Sequence, residues 1–194
     1  MKNILFMILL ISINLLFVSC LDASKEKCDK FVTDYHNPAI DKFEEFIEKL
    51  SSYNNSINVL KVATWGETKV DNLSFNTGED VNTFNNITIN KNATFGGLTL
   101  KQGFDNSQVN FDTLIKLGDE SIDTFKKIID NNSDVCKNHH PNARYFNGVD
   151  GTNLNSRPGN SDYKTKIEKL KNKVDKVMNI NKAFRERVKN TLGL

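Results

Sequence analysis

Three cysteines and three histidines are the side chains here best suited to covalent or metal chemistry, and their positions restrict what they can do. Cys20 closes an apolar run at Phe17-Val18-Ser19-Cys20. A thiol directly after a small residue at such a place is where lipid is attached and a leader removed, so Cys20 is the candidate lipid-attachment residue. A secretory cut a few residues later, which would discard Cys20, is the alternative; both readings place the mature chain outside the cytoplasm. Lipidation takes Cys20 out of the thiol count and leaves Cys28 and Cys136. In an oxidising compartment this even remainder predicts one disulfide, with two free thiols as the rival state. Closing a loop of roughly 100 residues contributes up to about 4 to 5 kcal/mol in the chain-entropy account. His139 and His140 follow Cys136 closely enough to share a metal, but a zinc site needs three or four ligands and only His36 remains. The expectation is no metal and no cofactor.

Other catalytic constellations are missing from the sequence. There is no Gly-x-Ser-x-Gly elbow and no His-Glu-x-x-His pair. Gly96-Gly97 and Gly103 read as turn residues, because no Gly-Lys-Ser/Thr follows them to hold a phosphate. The acid pairs Glu44/Glu45 and Asp119/Glu120 read as solvated helix faces. The chain is therefore expected to bind, not to catalyse. Its best binding residues are Arg144, Tyr145, Phe146 and Arg157, types enriched at interface hot spots and set in a long polar loop. The competing role for Tyr145 and Phe146 is to pin that loop to the core. Residues 162–194 carry ten Lys/Arg against four Asp/Glu. Aromatic residues are not interleaved with these lysines, so nucleic acid is not expected, whereas a polyanion such as a glycosaminoglycan fits the charge. Asn-x-Ser/Thr triplets at Asn54, Asn72, Asn86, Asn92 and Asn131 arise by chance in a chain with 27 asparagines.

The elements that must position these residues follow from periodicity. Residues 1–19 read as a signal peptide, with Lys2 before an apolar stretch from Ile4 to Val18. Residues 20–27 are a lipidated tether, and 28–194 form a single helical surface domain. A first helix covers Glu26 to Tyr35; Asn37-Pro38 then reads as a stop and a restart, with Asn37 as N-cap. Ile40, Phe43, Phe46, Ile47, Leu50 and Tyr53 mark an amphipathic helix with an acidic outer face. The segment 54–108 is irregular or a short β-hairpin, with strand-like alternation at Asn86 to Asn90 and Thr94 to Lys101. Phe111, Leu114, Ile115, Gly118, Ile122, Phe125 and Ile129 form one stripe of a helix reaching Asp134. In the last segment Tyr163, Ile167, Leu170, Val174, Val177, Asn181, Phe184 and Val188 make a heptad seam. The predicted class is mainly α, a small helical bundle with a long C-terminal helix. Docking of that helix within the bundle is favoured over pairing with a second copy, which Asn181 in the seam would specify.

Phe17-Val18-Ser19-Cys20, the short charged tether, the Asn/Lys-rich helices and the heptad helix together resemble the plasmid-encoded outer-surface lipoproteins of Borrelia. Size and the long Asn/Gly loop between two helices look most like the factor H-binding proteins of relapsing-fever species. The resemblance implies a lipid-anchored protein on the bacterial outer membrane that captures host complement factor H for immune evasion, with plasminogen as a second partner. The competing class is a structural or antigenic surface lipoprotein that self-associates as a homodimer.

Overall fold

The computed structural model describes residues 23–64, 73, 81–84, 86–131, 133–139, 141–146 and 157–194; Cys20, His140 and the signal segment lie outside them. The chain is mainly helical: α1 (23–31), α2 (Asn37–Ser56), α3 (Asn58–Ala63), α4 (Leu100–Asn106), α5 (Gln108–Asp130) and α6 (Tyr163–Leu192). Helix α5 packs along both α2 and α6. The apolar stripes explain this layout. On α2, Ile40, Phe43, Phe46, Leu50 and Tyr53 are buried while Asp41, Glu45 and Glu48 face water. On α5 the buried line is Leu114, Gly118, Ser121, Phe125 and Ile128, with Phe111, Ile115, Ile122 and Ile129 half-buried at its flanks. All eight seam residues of α6, Asn181 included, are buried inside the single chain. The seam is thus closed by the bundle's own core, as the bundle reading requires.

Where the structure departs from sequence expectation, tertiary packing gives the reason. Asn37 does not cap a restarted helix: its φ and ψ are helical, and its N–H donates to Val32 O across a π-turn at Val32–His36. The chain therefore runs from α1 into α2 without a stop. A widened turn just before Pro38 absorbs the ring and the missing donor. The described part of α1 is helical from residue 23 on, so part of the stretch expected as tether is helical. The α5 helix ends at Asp130, not at Asp134, and a 3-10 turn over Ser133–Cys136 carries the second cysteine. Cys28 on α1 and Cys136 are joined, both fully buried, with Cα atoms 4.9 Å apart.

The described residues of the middle segment hold the short helices α3 and α4, a 3-10 turn at Val81–Phe84 and a hairpin. Strands β1 (Thr94–Phe95) and β2 (Leu98–Thr99) pair antiparallel around Gly96 and Gly97, whose φ angles of 59° and 80° need glycine. The expected strand does not reach Lys101: the Thr99 side chain accepts from the Gln102 N–H, Gln102 reaches back to Thr99, and this capping box starts α4. Ile87 and Ile89 are buried with exposed neighbours as alternation predicts, but no strand ladder among the described residues holds the segment: Asn90 N–H donates to Ala63 O (2.8 Å), and Arg187 donates twice to Ile87 O (3.2 and 3.1 Å). Gly103 is not a turn residue. It lies inside α4, where a Cβ would come 1.8 Å from Val59 Cγ1, so it permits the close approach of α3 and α4.

Candidate partner-binding site

The loop after Cys136 is fixed by alternating inward and outward contacts. Arg144 turns its backbone carbonyl inward to His36 Nε2 (2.7 Å) and its guanidinium outward to Glu44 (2.7 Å) and Asp41 on α2. Those carboxylates raise the Arg144 pKa, with the hydrogen bond that Asp41 accepts from it the largest cause. Tyr145 is 37% exposed. The Arg157 guanidinium lies 4.9 Å from the centre of its ring, and Arg157 Nε donates to its hydroxyl. Phe146 points the other way. It is buried against His36, Phe43 and Phe125, at ring-centre distances of 5.4, 6.1 and 5.7 Å.

Of the four residues expected to contact a partner, the structure brings Arg144, Tyr145 and Arg157 to the surface and places Phe146 in the core. Phe146 is corrected on that ground: at 1% exposure its ring has no surface to offer. It performs the pinning role that was the alternative for it. The far end of the loop returns to the disulfide, where Gly159 (φ +97°) packs so closely that a Cβ would meet Cys136 O at 2.4 Å. Tyr145 and Arg157 are thereby presented from a loop held at both of its described ends. Compared with protein-family models, curated proteins and solved structures, the chain matches none.

Sequence reasoning missed the residue that organises this site. From the sequence His36 offers only a candidate third metal ligand, yet it is fully buried and bridges Tyr163 Oη and Arg144 O, each at 2.7 Å. A carbonyl can only accept, so Nε2 carries the proton and Nδ1 accepts from the tyrosine hydroxyl. Burial lowers the His36 pKa and pushes that of Tyr163 far up, so both stay neutral. One buried imidazole thus ties the π-turn, the start of α6 and the loop together. His139 is likewise engaged, with Ser24 Oγ at 2.9 Å. Among the described residues no three His, Cys, Asp or Glu side chains are grouped to hold a metal ion, and no helix is long and apolar enough to cross a membrane.

Proposed function

We propose that the chain is an exported lipoprotein, anchored through Cys20 at the bacterial outer surface, whose helical domain binds a host protein. Complement factor H is the proposed partner and plasminogen a second. The observation that carries a binding role is the exposed Tyr145–Arg157 pair on a loop whose neighbours are fixed by Phe146 and His36. A stacked Tyr–Arg pair whose frame is already ordered loses little conformational entropy on contact, which is what an interface anchor needs. The anchor and the choice of factor H rest on the leader and cysteine context and on the resemblance to surface lipoproteins.

Two measurements test the two halves separately. Cells making the full chain are labelled with radioactive palmitate: label on the wild type and none on Cys20→Ser supports the anchor, whereas an unlabelled wild type removes it. The same cells, incubated in human serum at physiological salt, are expected to retain factor H. Tyr145→Ala with Arg157→Ala should abolish retention while the chain stays folded. Serum proteins retained equally by the double variant would move the site elsewhere, and none retained would end the capture reading. The other reading, a self-associating surface protein, would need a face other than the α6 seam, whose residues are buried within one chain.

A further inference from the structure

At the other end of α6, the cleft between that helix and the α4–α5 corner holds a buried positive charge with no carboxylate partner among the described residues. Arg185 is 4% exposed, and among the described residues the groups that bond it are neutral: Ser107 Oγ (2.9 Å), Phe104 O (2.8 Å) and Gln108 Oε1 (2.6 Å). Its guanidinium stacks on Phe104 at 3.9 Å and faces Phe111 at 5.0 Å. A charge so far out of water ordinarily has an ion of opposite sign beside it. The carbonyl of Phe104, in the last turn of α4, offsets part of the cost, and it accounts for the placing of the α4–α5 corner. It does not account for what surrounds the opening.

The cleft has a volume of about 380 Å³ and is lined by Phe104, Gln108, Phe111, Lys182, Arg185, Glu186 and Lys189. That is within the range of about 300 to 1,000 Å³ typical of small-ligand sites. Lys182 and Lys189 are seven residues apart, so they stand two turns, or roughly 10 Å, apart along one face of α6. Lys182 has no ion pair or hydrogen bond among the described residues, and Lys189 has only Glu186, at 3.5 Å. Counting three cations against the one carboxylate in the lining leaves two positive charges. Asp112 is held by Gln108 Nε2 (2.7 Å) and is not part of the lining.

We propose that this cleft is an oxyanion-binding site that takes a doubly charged sulfate or phosphate group, either free or as an ester on a sugar. The oxyanion sits between Lys182 and Lys189 above Arg185 and supplies the counter-charge that the described residues do not. This reading does not depend on the Tyr145–Arg157 site, which lies beyond the opposite end of α6.

The test is calorimetric titration of the full chain in neutral detergent with inorganic sulfate, inorganic phosphate, a sulfated disaccharide and the same disaccharide without sulfate. Binding of the sulfated sugar is expected, with none of the unsulfated one, and it should weaken as salt rises. Lys182→Ala with Lys189→Ala, both on the solvent side of α6, should weaken it by about tenfold at an unchanged melting temperature. Glu186→Gln, which takes the only carboxylate from the lining, should tighten it several-fold. Binding of the free ions as tightly as the sulfated sugar would identify a free oxyanion as the ligand; binding of the sulfated sugar alone would identify an ester. No binding of any charged probe, or binding unaffected by both variants, overturns the proposal.

Discussion

His36 shows how one side chain decides a loop's conformation and makes stability depend on pH. Its pKa is lowered from the ordinary 6.5, by burial first and by the Arg144 charge as a smaller cause, with the bond to Arg144 O opposing both. The unfolded chain therefore takes up this proton before the folded one does as pH falls. The stabilisation is complete above pH 6.5 and is lost progressively between 6.5 and the lower folded value. Urea midpoints measured from about pH 7.5 to 5 should fall in the wild type. The fall should be smaller in His36→Gln, whose amide can still accept from Tyr163 and donate to Arg144. Equal falls would remove His36 as the cause. Gly103 gives a second test at this scale. Alanine normally gains about 1 kcal/mol over glycine within a helix, but here its Cβ meets the stiff β-branched Val59 at 1.8 Å. Overpacking wins, and Gly103→Ala should lose about 1 to 2 kcal/mol by chemical denaturation. Val59→Ala should restore most of that loss; a double variant no better than Gly103→Ala would place the strain elsewhere.

Among the elements, α1 is the one whose place depends most on a covalent link. Cys28 and Cys136 are 108 residues apart in sequence, so the disulfide closes most of the described fold into one loop. Cys28→Ser with Cys136→Ser should cost up to about 4 kcal/mol. Amide exchange should rise first in residues 23–36, where Phe31, Val32 and the Ser24–His139 hydrogen bond would be left to hold α1. Uniform exchange across α2 and α5 instead would mean that the disulfide acts only on global stability. The pairing was legible in the sequence because cysteine arithmetic needs no geometry. So were α2, α5 and α6, whose apolar residues recur at three and four over many turns. The π-turn was not, because Asn37-Pro38 has the local chemistry of a helix start and only the packing of Val32 and His36 keeps the chain helical through it. The site was half legible for a similar reason. Arg144, Tyr145 and Phe146 are consecutive, and which of them faces inward is decided by His36, Phe43 and Phe125 from other elements.

For the whole molecule, the question is what Asn181 does in the α6 seam. A polar residue in a heptad seam can fix the pairing of two copies by bonding its counterpart across the interface. Here the seam faces the core of its own chain, and Asn181 is fully buried among Val177, Ile180 and Phe184. Its Nδ2 donates only to Val177 O one turn back (2.9 Å), and its Oδ1 is buried with no hydrogen-bond partner. A buried acceptor left without a donor costs about 1 to 3 kcal/mol, and the local Nδ2 bond replaces no contact between helices. Leucine has asparagine's branching and heavy-atom count, though it is bulkier, and would continue the line of Leu170, Val174 and Val177. Asn181→Leu should therefore stabilise the chain by about 1 kcal/mol, the gain being reduced by the extra volume it must fit. Light scattering in neutral detergent, corrected for the micelle, should give one chain per particle for both proteins. If the seam instead joined two copies, the wild type would scatter as a dimer and Asn181→Leu would change the number of chains, because the residue that fixes register would be gone. A rise in urea midpoint at unchanged mass separates a core asparagine from an interface one.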